Sequence, residues 1–252
     1  MALLEIACFT PESAILAFNA GADRIELCDN REAGGTTPSL ASLLLVKGYV
    51  TIPVFVMIRP RGRNFNYSDE EFEQMLDDID RFKKTANGFV FGILSECNDV
   101  DTARTTVLAE KASPLPCTFH RAFDETRDKL KALEDVVACG CQAVLTSGGA
   151  LAAAAGASLL RELVGQAGDR IQVIVGGGVR TKNVVRLAEL TNAHAYHSSA
   201  ILGDTAEAGI NVEEVRQLKT FLRALSAFEG HLSAAAPGVS AISAGPSTPM
   251  DE

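Results

Sequence analysis

IQVIVGGGVRTKNVVRLAEL, residues 171–190, decides the fold. It is a short apolar run, a glycine-rich turn and then a segment with helical spacing, the signature of one strand-turn-helix unit. The same unit recurs along the whole chain, and strands are expected at 3–8, 24–28, 54–59, 88–94, 116–121, 143–147, 171–176 and 195–199. Strands that alternate with helices over 252 residues leave a closed (β/α)8 barrel, the TIM barrel, or an open doubly wound sheet. Eight strands favour the barrel. No GxGxxG follows the first strand, where IACFTPES stands instead, so a dinucleotide-binding sheet is disfavoured.

Helix starts support the same reading. Thr10-Pro11 and Thr37-Pro38 each put a capping hydroxyl before a proline suited to the first helical turn. Ser68 and Glu71, three apart, form a capping box. The helix that follows carries Phe72, Met75, Leu76, Ile79 and Phe82 as an apolar stripe on an acidic background, which is core. The expected organisation is an α/β single domain over 1–228 with a flexible tail over 229–252, where Ser, Gly, Pro and small residues dominate and His231 faces solvent.

Bulk composition narrows the function. Apolar residues make up 47% of the chain, enough for one large core without metal or disulfide staples. Lys and Arg number 23 against 32 Asp and Glu, a formal charge of -9, which repels nucleic acid and anionic membrane surfaces. The opening MALLEIACFT has no basic stretch followed by a sustained apolar core, so a soluble intracellular chain with reduced cysteines is expected. Cys139 and Cys141 form a CxC without further thiols or histidines around it, and read as packing at a helix-to-strand turn.

The stretch CTFHRAFDE, residues 117–125, sets His120, Arg121 and Asp124 at the end of an otherwise buried strand. In such barrels chemistry gathers at the carboxyl ends of the strands. Glu5, Glu26, Arg59, Arg61, Thr146, Ser147 and His197 join the same end, and residues two apart share a face, so Glu26 goes with Cys28 and Arg59 with Arg61. Two readings stand. Glu5 and Glu26 pair with Arg59, Arg61 or Arg121 either as a catalytic set or as a structural network inside the barrel. His120 is a candidate acid, base or ligand, because histidine titrates near neutrality. Gly176, Gly177, Gly178, Ser198 and Ser199, after the last two strands, stand where barrels commonly bind phosphate, although a tight glycine turn explains the glycines as well.

Taken together, DRIELC, AGGTTPS, FVMIRPRG, FNYSDEE, TFHRAFD, LTSGG, GGGV and HSSA resemble the CutC family of copper homeostasis, over about residues 3 to 200. The resemblance implies a (β/α)8 barrel, a cytoplasmic and in eukaryotes also nuclear protein, self-association into a homo-oligomer, and copper as the bound ion. It further implies Cu(I) held by inward cysteines on the first two strands. This chain keeps Cys28 but has Ala7 where the first would be, with Cys8 one position on, so a shared Cys8 and Cys28 site requires the strand to have ended by residue 8. Arg63 and Asn64 stand where the family commonly has Gly-Asp, and ILGDTAEAGI is a shorter loop than in many relatives. The competing function is a barrel enzyme acting by acid-base chemistry on a small anionic or phosphorylated metabolite.

Overall fold

The structure, a computed structural model, describes residues 2–203 and 209–235, by backbone alone from residue 228 on. The chain runs β1 (Leu3–Cys8), α1 (Pro11–Ala20), β2 (Arg24–Leu27), α2 (Leu40–Lys47), β3 (Val54–Met57), α3 (Asp69–Phe82), β4 (Gly88–Phe91), α4 (Thr102–Ala112), β5 (Cys117–Phe119), α5 (Lys129–Ala138), β6 (Ala143–Thr146), α6 (Ala157–Ala167), β7 (Gln172–Val175), α7 (Val184–Thr191), β8 (Ala195–Ser198) and α8 (Val212–Ala235). Neighbouring strands pair in parallel, and β8 returns to β1 with Glu5 opposite His197, so the sheet closes on itself as the expected (β/α)8 barrel. The boundary expected at 228 falls inside α8, whose backbone continues to Ala235. The side chain of His231 and residues 236–252 lie outside the described residues.

Period-two alternation divides each strand between two layers. On β1, Leu4, Ile6 and Cys8 enter the large core between barrel and helices, packed with residues such as Leu27, Val46 and Ile79. The other face turns into the barrel. There Leu3, Ala143, Leu145, Ile174 and Ala195 form one apolar plug, and Cys28, Phe55, Met57 and Val90 another.

Local signals set the entry of each helix. Thr10 caps α1 with Pro11 in its first turn, and Ser68 with Glu71 makes the capping box of α3. Thr37 does not cap α2; Ser39 does, and the Thr37 hydroxyl instead accepts the Arg59 N–H at 2.9 Å. β5 ends at Phe119, earlier than expected, because His120 caps a 3-10 turn over Arg121–Glu125. The six cysteines are all free.

Candidate functional site

A cavity of about 220 Å3 opens at the carboxyl end of the strands. Glu26, Cys28, Arg59, His120, Arg121, Gly177, Gly178, Ser198 and Ser199 all line it, together with Ala7, Met57, Phe65, Arg180 and His197. Six strands and the loops after them, β1, β2, β3, β5, β7 and β8, deliver these groups to one opening, which only closure of the sheet makes possible.

The wall from β1, β2 and β8 is charged and deep. Glu5 is fully buried beneath the cavity; Arg24 Nε donates to its Oε2 at 2.6 Å, and His197 Nδ1 meets its Oε1 at 2.7 Å. Burial alone would raise the Glu5 carboxyl, but Arg24 and His197 bring it down to about 2. His197 Nε2 then points at Glu26, 3.8 Å from Oε2. Burial opposes charge on His197, yet the two carboxylates raise its pKa above the ordinary histidine value. Glu26 itself is raised, chiefly by burial, and its Oε1 has no hydrogen-bond partner. Glu5, Glu26 and His197 bring their donor atoms within 4.8 Å of one another, the spacing of a metal-ligating trio. The Cys28 thiol donates to Glu26 Oε2 at 3.6 Å, and burial followed by the Glu26 charge pushes it well above the usual thiol range.

The opposite wall is built around a neutral histidine. Ala122 N–H donates to His120 Nδ1 at 3.2 Å, which leaves Nε2 as the protonated nitrogen, buried and without a partner. Burial first, then the nearby Arg59 charge, lower the His120 pKa to about 3. His120 is therefore a neutral N–H donor at neutral pH, which corrects the expectation that it titrates there. Gly92 makes room for it, since a Cβ at that position would stand 2.5 Å from Nδ1. Phe65 packs against the imidazole at 4.9 Å and lies under the Arg59 guanidinium at 4.7 Å.

Several expected roles are redistributed. Glu5 and Glu26 pair with Arg24 and His197, and none of Arg59, Arg61 or Arg121 reaches them. Arg59 donates to the carbonyls of Ala33, Gly35 and Arg63, each at 3.0 Å. Arg61 does not share its face: β3 has ended and the backbone has turned, so Arg61 leaves the cavity and binds Glu71 at 2.6 Å. Asp124 is a clamp and does not line the cavity; its oxygens accept from Arg121, Thr146, Ser147 and Gly149. The Gly176 N–H is spent on Thr146 O. The Ser198 hydroxyl is likewise occupied, by Val179 O, the Ala200 N–H and Arg180.

Cys8 and Cys28 do not face each other. Cys8 stands in register with Leu27, and both belong to the outer core, whereas Ala7 in register with Glu26 faces the cavity with Cys28. β1 continues regularly through residue 8, so the one-residue offset puts the thiol on the wrong side of the sheet. Sequence reasoning passed over Arg24, Met57 and Arg180. Arg24 is two before Glu26 and shares its face, and Arg180 directly follows GGGV, so both were legible from spacing.

Comparison with known proteins adds the family. The CutC family model matches residues 2–202, from the start of β1 past the end of β8. The copper homeostasis protein cutC homolog of Homo sapiens is 47% identical over 200 residues, covering 79% of this chain and 73% of that one. A CutC family protein of Chromobacterium violaceum is 45% identical over 199 residues, 79% of this chain and 81% of the other. The crystal structure of a copper homeostasis protein CutC from Streptococcus agalactiae superposes with a TM-score of 0.75 at 34% identity, covering 79% of this chain and 99% of that one. With sequence and barrel geometry in agreement across every strand, this chain belongs to the CutC family.

Proposed function

We propose that this chain serves copper homeostasis by taking Cu(I) as cargo on the inner wall of the barrel, through the Cys28 thiolate with the Met57 thioether beside it. One observation carries the reading: Cys28 and Met57 belong to the same buried cluster, and both line the cavity. Cu(I) is soft and accepts thiolate and thioether ligands at low coordination number, so a thiol with a neighbouring thioether fits the ion without a second cysteine. Copper takes the place of the thiol proton that Glu26 now accepts. Glu5, Glu26 and His197 offer only oxygen and nitrogen, a harder set that suits the reduced ion less well. Cu(I) and free thiols both call for a reducing compartment, the cytoplasm and in a eukaryote the nucleus as well. The reading extends to a homo-oligomer, which light scattering tests.

The deciding measurement is titration of the reduced full-length chain with Cu(I) against a competing chelator. Wild type and Cys8→Ala are expected to bind stoichiometrically, Met57→Leu more weakly, and Cys28→Ala not at all. Undiminished binding by a folded Cys28→Ala protein sinks the reading.

A further inference from the structure

Two guanidinium groups at the cavity have no carboxylate partner among the described residues. Arg59 is only 5% exposed, is held by three carbonyl oxygens, and keeps its Nε without any partner. Arg180 is half-buried and donates to Val179 O, Ser198 Oγ, Ser199 Oγ and Ile201 O, all of them uncharged. Glu214 acts on Arg180 from a distance but makes no ion pair with it, its oxygens accepting from the Thr181 N–H and hydroxyl. Carbonyl dipoles hold Arg59 in place but do not neutralise it, and a buried cation without a counter-ion is costly.

Neutral donors converge on the same opening. Gly177 and Gly178 line the cavity with φ of 97° and 74°, both left-handed, and neither N–H makes a hydrogen bond among the described residues. Consecutive amides of this kind form an anion-binding concavity. His120, 4% exposed, lines the cavity, and its buried Nε2–H has no partner. A buried donor left unmade costs on the order of 1–3 kcal/mol, so the arrangement is completed by an acceptor. The cavity, at about 220 Å3, falls below the range typical of drug-sized ligands and suits a small metabolite.

We infer that the mouth of this cavity is a binding site for a small phosphate monoester, its dianion held by Arg59, Arg180 and the amides of Gly177 and Gly178, with His120 Nε2–H donating to an oxygen of the ligand. Two guanidinium groups match a dianion better than a single carboxylate. The inference stands apart from the copper reading, because none of its groups is Cys28 or Met57.

Calorimetric titration of the reduced, copper-free full-length chain with glycerol phosphate, inorganic phosphate and glycerate tests it, alongside the imidazole resonances of His120. Glycerol phosphate is expected to bind more tightly than glycerate and to shift the His120 resonances. Arg180→Met should weaken it at least about tenfold, and Arg61→Ala, which lies outside the cavity, should leave it unchanged. No binding of the ester by the folded wild type overturns the inference. So does tighter binding of glycerate, or binding of inorganic phosphate alone. Undiminished ester binding in Arg180→Met is equally fatal, and if that variant does not fold, His120→Phe carries the same decision. Cu(I) titration of Cys28→Ala reads the other proposal, and neither outcome decides the other.

Discussion

The surroundings of His120 and His197 differ in one respect that matters. Both imidazoles line the same cavity, and burial disfavours the charged form of each. Beside His120 stands the Arg59 cation, and the pKa falls to about 3; beside His197 stand Glu26 and Glu5, and it rises above 6.5. Desolvation lowers both, and at His120 the Arg59 charge adds to it; at His197 the two carboxylates outweigh it, so one small cavity holds two histidines shifted in opposite directions.

The sharpest way to break this contrast is Glu5→Gln. It leaves Arg24 buried without its carboxylate and removes the acceptor on His197 Nδ1. Stability should fall by about 3 to 5 kcal/mol in urea unfolding, and the His197 pKa should drop toward that of His120. A His197 titration curve that stayed in place would show that Glu5 does not set its charge. Gly92→Ala attacks the other wall. The new methyl overlaps His120 Nδ1, so the ring is pushed into the cavity and its bond from Ala122 is lost, at about 1 to 3 kcal/mol. His197 should titrate as before.

Acidification separates the two histidines by sign. Folded His120 takes up its proton near pH 3 and the unfolded chain near 6.5, so the unfolded state binds more protons between these values. His120 therefore lowers stability as the pH falls through that window, by at most about 1.4 kcal/mol per pH unit. His197, with a raised folded pKa, contributes stability that is present below 6.5 and declines as the pH rises through its folded value. His120→Phe should flatten the acid limb of an unfolding-against-pH curve and leave the alkaline limb alone; an unchanged acid limb would contradict the neutral assignment.

The smallest expected effect is favourable. Arg63 sits at φ 70°, a left-handed conformation in which a Cβ is strained, while its carbonyl anchors Arg59. Arg63→Gly should raise stability by up to about 1 kcal/mol, seen as a higher denaturation midpoint, without altering His120.

The barrel was legible because its signals are local. Each strand announces itself by a short apolar run and each helix by a cap, and the repetition supplies the closure. The pooling of polar residues at one opening follows from that topology. What failed was any inference that carried alternation beyond a strand's end: β3 stops at Met57, so Arg59 and Arg61 part company, although their spacing of two suggested otherwise. Asp124 joined the catalytic candidates by its place after β5, and its oxygens serve as acceptors for β6 and the turn after it, a role fixed by tertiary neighbours. The charge of His120 was hidden for the same reason, since it depends on the Ala122 N–H and Arg59. The Cys8 question, by contrast, turned on strand parity, and the sequence offset of one already contained the answer.

That parity also makes the barrel simple to re-engineer. Ala7 occupies the cavity-facing place beside Glu26, two residues short of Cys28 along the neighbouring strand, so Ala7→Cys would set a second thiol on the same wall as Cys28. The Ala7→Cys variant and this chain would differ by one side chain on the same scaffold, which makes the pair a titration of how many thiols the cavity needs to hold a soft ion.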